Sequence, residues 1–305
     1  MNAAIRSIVR CAIPRGAEVI GIRRGYAGLI TNQTVPLTLR SVGSILQYGG
    51  TILYTSRCPE FQTQEGVEKG AEVLKSRKID GLIVIGGEGS AKGALRLEDV
   101  SGVPCICIPA TIDNDIYGTD ETIGFDTAVN TAVNAIDKIR DTAVSHERVF
   151  VVEVMGRNRG FLALQVGLAT GAAIILLPEI AFELKDVCRK IESFAERGKV
   201  TSIIVAAEGI GNTNEVVSCI ERETEYEVRL SKLGYIQRGG SPTARSRLLA
   251  DLFGAHAVEL ILSGERNKMV GIEGRTIIAT DLQEAVSKMK PLDTGLYRLA
   301  EDLAV

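Results

Sequence analysis

Histidine is nearly absent from this chain: His146 and His256 are the only two in 305 residues. That excludes a His-rich metal site, and any Ser-His or Cys-His nucleophile would have to use one of those two. A surplus of charge of one sign is missing as well. The 35 basic and 38 acidic residues leave a net charge of −3, which provides no field for non-specific nucleic-acid binding. No apolar run reaches the roughly 20 residues needed to cross a bilayer, so neither nucleic acid nor membrane is an expected partner. The six cysteines are scattered, and Cys105 and Cys107 alternate along one expected strand instead of forming a C-x-x-C clip. A chain of this size does not need disulfides, which makes a reducing cytoplasm the expected compartment. Internal repeats, low-complexity tracts and composition breaks marking a linker are also lacking.

What is present is an ordinary globular composition, 45% hydrophobic and 24% charged, with length enough for a large core or two domains. The start, "MNAAIRSIVRCAIPRG", is Arg-bearing and free of acids, as transit peptides are. Its apolar spacing at Ile5, Val9 and Ile13 equally fits an amphipathic helix, the preferred reading. Short β-branched runs then alternate with helical segments: "GLIVIGGEGS", "PCICIPA", "RVFVVEVMGR", "AAIILLPE" and "SIIVAAEGIG". Fully apolar strands bounded by Gly or Pro belong to a sheet covered on both faces. Phe125, Val129, Ala132, Ile136, Ile139 and Ala143 recur at helical spacing, one face of a helix of about six turns. The pattern predicts a doubly wound α/β architecture, in which ligands bind beyond the carboxyl ends of the strands. Glycine-acid loops follow strands there repeatedly, at Gly86, Asp113, Gly156 and Glu208.

Three stretches carry chemistry. "IGGEGS", Ile85 to Ser90, runs strand, glycine turn, acid and helix start; its backbone N–H groups and the helix end suit a phosphate, although such turns are often only tight turns. "PATIDNDIYGTD" brings Asp113, Asp115 and Asp120 out of an apolar strand. A carboxylate there can accept a proton from an attacking hydroxyl, and a second can help hold Mg²⁺; plain Asx-turn chemistry competes for Asn114 and Asp115. "SHERVFVVEVMGRNRG" and "VRLSKLGYIQRGGSP" set Arg148, Arg157, Arg229 and Arg238 near strand ends. One arginine alone is usually a solvated charge, but several at strand ends in an acidic chain point to an anionic substrate.

In this order, "MNAAIR", "RCPEF", "GGEGS", "TIDNDIYGTD", "VEVMGR", "LPE" and "GYIQRGGSP" resemble the bacterial-type ATP-dependent 6-phosphofructokinases from Met1 nearly to the C-terminus. The resemblance implies two doubly wound α/β domains with mainly parallel sheets: a larger ATP domain, residues 1–124 plus 238–290, and a smaller fructose 6-phosphate domain, 125–237 plus 291–305. It implies phosphorylation of fructose 6-phosphate to the 1,6-bisphosphate in glycolysis, with ATP as co-substrate and Mg²⁺. Asp113 would be the base, Thr111 would contact the transferring phosphoryl group and Arg157 would stabilise its charge. Asp115 would support metal and sugar positioning. Met155, Gly156 and Glu208 would hold the sugar, and Arg238 its 6-phosphate, with Tyr235 where many members have a histidine. Arg148 and Arg229 would reach in from a neighbouring subunit, implying a homo-oligomer, usually a tetramer. Tyr26, Arg57, Cys58, Gly86, Gly87, Gly89, Ser90 and Gly93 would line the nucleotide, and Glu88 would face the metal where the family has Asp. Gly89 and Ala110 stand where pyrophosphate-dependent relatives carry an acid and a lysine, so ATP is the expected donor.

Departures shape further expectations. The family's opening strand and G-G-D-x-P-G loop do not precede "MNAAIR", and the expectation is that the sequence starts at an internal methionine, leaving an unpaired strand edge. Of a family effector site, Arg6, Arg10, Arg140, Arg197 and Lys199 match, whereas Ala173 and Leu39 replace a metal-binding Glu and an Arg; weak or absent ADP-Mg activation follows. A non-catalytic sugar-phosphate-binding paralogue and a pyrophosphate-dependent enzyme are the alternative readings.

Overall fold

Each apolar run bounded by glycine or proline forms a strand. The computed structural model describes residues 1–146, 148–198 and 201–304, and divides them into two units. The first comprises Met1–Thr111, Ile116–Gly124 and Gly239–Lys290; the second comprises Ile112–Asp115, Phe125–Arg238 and Pro291–Val305, with residues 147, 199, 200 and 305 outside the description.

In the first unit the order is α1 (Asn2–Ala12), β1 (Val19–Ile22), α2 (Gly25–Ile30), β2 (Thr34–Leu37), α3 (Gln64–Ser76), β3 (Leu82–Gly86), α4 (Glu88–Ser101) and β4 (Cys105–Pro109). The second unit follows with α5 (Phe125–His146), β5 (Val149–Val154), α6 (Phe161–Thr170), β6 (Ile174–Leu176), α7 (Leu184–Glu196), β7 (Ser202–Ala207), α8 (Thr213–Glu223) and β8 (Val228–Lys232). The chain returns to the first unit for α9 (Ala244–Leu262), β9 (Lys268–Glu273), β10 (Thr276–Asp281) and α10 (Leu282–Ser287), and ends in the second with α11 (Thr294–Leu303).

The first unit's main sheet runs β10-β9-β4-β3, with β3, β4 and β9 parallel and β10 antiparallel. Every residue of β4 is buried, as a strand covered on both faces should be. β3 is equally apolar, yet all five of its residues are half-buried, because it ends the sheet. β1 and β2 form a separate antiparallel pair. The N-terminal segment is the amphipathic helix α1, which buries Ala4, Ile5 and Val9. α1 packs on α9, to whose Asp251 carbonyl the Ser7 hydroxyl donates at 2.6 Å.

The second unit's sheet is wholly parallel, in the order β6-β7-β5-β8. The period-two alternation of strand side chains splits its core into two layers. Ile203, Val205 and Ala207 pack with Ala132, Ile136, Leu162 and Val166 of α5 and α6. Ile204 and Ala206 face Val187, Ile191, Val216 and Ile220 of α7 and α8. Helices on both faces of a parallel sheet make this unit doubly wound, and bring the carboxyl ends of β5, β7 and β8 to one rim.

Candidate active site

The rim of the second unit collects Met155–Arg157 after β5, Glu208 after β7, and Gln237 and Arg238 after β8. Three successive backbone N–H groups of the β5 loop are taken by side chains. Met155 donates to Gln237 Oε1 at 2.9 Å, Gly156 to Glu208 Oε1 at 3.2 Å, and Arg157 to the same oxygen at 2.6 Å. The loop needs this support because Gly156 (φ 136°) and Arg157 (φ 54°) are both left-handed. A Cβ on Gly156 would stand 2.6 Å from the Arg159 carbonyl oxygen.

Ile112–Asp115 belongs to this same unit. Asn114 takes a left-handed conformation, φ 53°, of the kind Asn tolerates in tight turns. The Asp113 side chain is 8% exposed, and its Oδ2 lies 3.6 Å from Arg157 Nε. Burial pushes the Asp113 carboxyl above the ordinary aspartate range; the nearby Asp115 and Glu208 act in the same direction, against Arg157 and Arg238. The result is a desolvated carboxylate facing a guanidinium that is two-thirds exposed, an arrangement suited to accepting a proton beside an incoming anion. The exposed Tyr235 ring lies under the Arg238 guanidinium, 5.2 Å from centroid to Cζ. Asp120, the third acid, serves the fold: its Oδ2 accepts the Gly274 N–H at 2.7 Å.

Arg148 and Arg229 lie at the amino ends of β5 and β8, the opposite edge of the sheet. At ~3.3 Å per residue they are about 20 Å along the strands from the carboxyl-end loops. Both hold Glu227: Arg148 Nε donates to Oε2 at 2.6 Å, and Arg229 pairs with Oε1. The two arginines, with Arg148 first, hold the Glu227 carboxyl below the usual glutamate range.

In the first unit, the Ala110 N–H donates to the Gly86 carbonyl at 2.8 Å, joining the carboxyl ends of β3 and β4. Gly87 caps α4, and Glu88, Gly89 and Ser90 form its first turn. Gly89 faces open space, where an added Cβ would meet no atom within 4 Å. Tyr26 stacks on Phe61 with centroids 4.0 Å apart and planes 7° from parallel, and its hydroxyl donates to the Ser90 carbonyl at 2.6 Å. A Cβ on Gly93 would stand 2.7 Å from the Tyr26 ring, so this glycine makes room for the tyrosine. Thr111 is half-buried, and its carbonyl accepts the Thr122 hydroxyl at 2.6 Å. Arg57 is exposed and Cys58 half-buried.

Glu88 is half-exposed and ion-paired with Lys92 one turn along α4. Among the described residues no group of three or more His, Cys, Asp or Glu could hold a metal. Glu88 nevertheless fits Mg²⁺, which keeps several waters and takes one or two carboxylates together with substrate phosphates. Of the residues expected from the resemblance to form an effector site, Arg6 faces Asp251 at 3.7 Å, Arg10 and Arg197 are exposed, and Arg140 donates to the Thr170 carbonyl. Leu39 is exposed and Ala173 buried; Lys199 lies outside the described residues. Phe61 and Gln237 do not stand out in the sequence, although both lie inside its quoted motifs; only the fold reveals the ring stack and the amide's reach to Met155.

A family model described as phosphofructokinase matches residues 1–261. The chain is 52% identical over 305 residues to an ATP-dependent 6-phosphofructokinase of Bacillus pumilus, covering all of this chain and 95% of that protein. The same coverage holds at 51% identity for the enzyme of that name from Bacillus cytotoxicus. The solved phosphofructokinase of Saccharomyces cerevisiae superposes with a TM-score of 0.89 at 32% identity over the whole chain. This chain spans 46% of the yeast chain's length. A pyrophosphate-dependent phosphofructokinase from Nitrosospira multiformis, at 22% identity and a TM-score of 0.85 over the whole chain and 88% of its own, shares the fold.

Proposed function

The chain belongs to the phosphofructokinase family, and from that premise we propose that it transfers the γ-phosphoryl group of ATP to the 1-hydroxyl of fructose 6-phosphate, yielding fructose 1,6-bisphosphate and ADP. The observation that carries this reading is Asp113, a buried carboxylate with a raised proton affinity opposite Arg157.

Asp113 takes the proton of the 1-hydroxyl as its oxygen attacks phosphorus; raised basicity brings the carboxylate closer to that task at neutral pH. Arg157, mostly exposed, turns from Asp113 to the transferring phosphoryl oxygens and offsets their charge. Glu208 and Gln237 hold the Met155–Arg157 loop on which Arg157 rides. Arg238 receives the 6-phosphate. On the nucleotide side, the first turn of α4 offers N–H groups to the phosphates, and the Tyr26–Phe61 stack provides an aromatic wall. Glu88 would hold Mg²⁺, which when bound neutralises charge on the ATP phosphates. The open space at Gly89 favours ATP over pyrophosphate as donor. Arg148 and Arg229, at the other end of their strands, are assigned to the active site of a second copy in a homo-oligomer, and the enzyme to the cytoplasm.

The test is ADP release that depends on added fructose 6-phosphate. Asp113→Asn is expected to lower kcat by about 10²–10⁴-fold, the usual range for a general base. Full activity in that variant would remove Asp113 from its role, and faster turnover with pyrophosphate than with ATP would overturn the donor.

A further inference from the structure

Two cysteines of the second unit lie outside the phosphoryl-transfer machinery and against each other. Cys188 on α7 and Cys219 on α8 are each 4% exposed, with their sulfurs 3.7 Å apart. A disulfide needs a separation of about 2.05 Å, so the sulfurs must close by under 2 Å. The other four cysteines differ. Cys105 and Cys107 are buried in β4, where desolvation pushes both thiols up, Cys105 to about 12. Cys11 and Cys58 are half-buried and belong to separate elements.

The environments of the close pair are unequal. The Arg222 guanidinium, 68% exposed and paired with Glu223, sets its Nη2 3.7 Å from Cys219 Sγ. That contact gives Cys219 a hydrogen-bond partner at the protein surface. Cys219 also lines a surface cavity of about 260 Å³ together with Asn212, Glu215, Ser218 and Arg222. Arg222 also acts electrostatically on Cys188, but its guanidinium makes direct contact with Cys219. Burial, the contact with Cys219, and Glu223 and Glu192 push the Cys188 thiol up to about 11, which keeps it protonated.

We propose that Cys188 and Cys219 form a peroxide-responsive dithiol site, with Cys219 as the attacking sulfur and Cys188 as the resolving thiol. The cavity admits a small hydroperoxide to Cys219. The Cys219 sulfur attacks one oxygen of hydrogen peroxide: an S–O bond forms, the O–O bond breaks, and the leaving hydroxide takes up the thiol proton and departs as water. Sulfur is oxidised to the sulfenic acid and the peroxide is reduced. Cys188 then attacks that sulfur, forming the S–S bond, breaking S–O, and releasing a second water that carries away the Cys188 proton. The product ties α7 to α8.

The test uses the full native chain, treated with hydrogen peroxide, quenched in acid, alkylated and mapped by mass spectrometry. The expected result is the Cys188 peptide joined to the Cys219 peptide, two hydrogens lighter than the separate thiols and released by dithiothreitol. In Cys188→Ser, dimedone is expected to trap a sulfenic acid on Cys219; in Cys219→Ser, Cys188 should remain alkylatable; Arg222→Ala should slow crosslinking several-fold. The wild-type map needs no variant to fold, and it reads sulfur alone, independently of phosphoryl transfer. Full alkylation of both cysteines after treatment, with oxidation confined to Cys11 or Cys58, would overturn the proposal. So would dimedone trapping at Cys188 in Cys219→Ser.

Discussion

Glu208 is placed to hold a loop, and removing it gives a change whose size follows from the geometry. Its Oε1 accepts two backbone N–H groups, from Gly156 and Arg157. Charge-assisted bonds of this kind contribute ~2 kcal/mol each, ~4 kcal/mol together. Against them stands the left-handed conformation of Arg157, which costs ~1.5 kcal/mol in a residue with a Cβ. The net ~2.5 kcal/mol keeps the loop ordered in about 98% of molecules, since RT is ~0.59 kcal/mol. Glu208→Ala removes both bonds and leaves ~1.5 kcal/mol against order, so the competent fraction falls to ~7% and the apparent affinity for sugar phosphate by about tenfold. Glu208→Gln keeps an acceptor oxygen; two neutral bonds of ~1 kcal/mol each leave the loop ordered in ~70% of molecules, a change under twofold. Both substitutions also remove a negative charge that raises the Asp113 carboxyl, so the acid limb of the rate profile should move to lower pH. Initial rates against fructose 6-phosphate at saturating ATP, repeated from pH 5 to 8, measure both effects. A Glu208→Ala enzyme with wild-type KM and an unmoved acid limb would refute the loop-holding argument. A Gln variant as impaired as the Ala variant would show that the charge matters, not the acceptor.

Asp113→Asn should raise thermal stability while lowering turnover. Because the folded carboxyl is raised above its unfolded value, its contribution is fully present below about pH 4 and is lost as pH rises through the folded value. The melting temperature of Asp113→Asn should therefore exceed that of wild type at pH 7, and the gap should close as pH falls below about 4; a pH-independent gap would contradict the assignment. Gly89→Asp meets no atom within 4 Å at Cβ and adds an acid to the first turn of α4. Its melting temperature should hold while KM for ATP rises at least about tenfold through charge repulsion; an unchanged KM for ATP would place the phosphates elsewhere.

The strands legible in the sequence, β3 to β7, are short apolar runs whose burial needs no knowledge of their neighbours. β8, "VRLSK", does not stand out in the same way, because a sheet-edge strand with Arg229 and Lys232 exposed does not look apolar. β1 and β2 escape a reading of the sequence for a related reason: "VIGI" and "TVPL" become strands only by pairing with each other. The site divides similarly. Asp113 and Arg157 stand out as residue types at strand ends, whereas their 3.6 Å approach depends on segments far apart in the chain. Gln237 is polar and ordinary in sequence; its function as a brace for Met155 exists only once β5 and β8 are neighbours.

The clasp of Arg148 and Arg229 on Glu227 bears on selectivity. A carboxylate of the chain itself already occupies these guanidinium groups, so any arriving anion must outcompete it. A monoanionic carboxylic acid offers no more than Glu227 does and lacks the advantage of being tethered. A phosphate dianion brings more charge and a third oxygen. If these arginines serve a second copy's sugar-phosphate site as proposed, the clasp would act as a threshold, making them poor ligands for abundant carboxylate metabolites while leaving them open to a phosphorylated sugar. Because Glu227 and Arg229 are exposed, added salt should weaken the clasp.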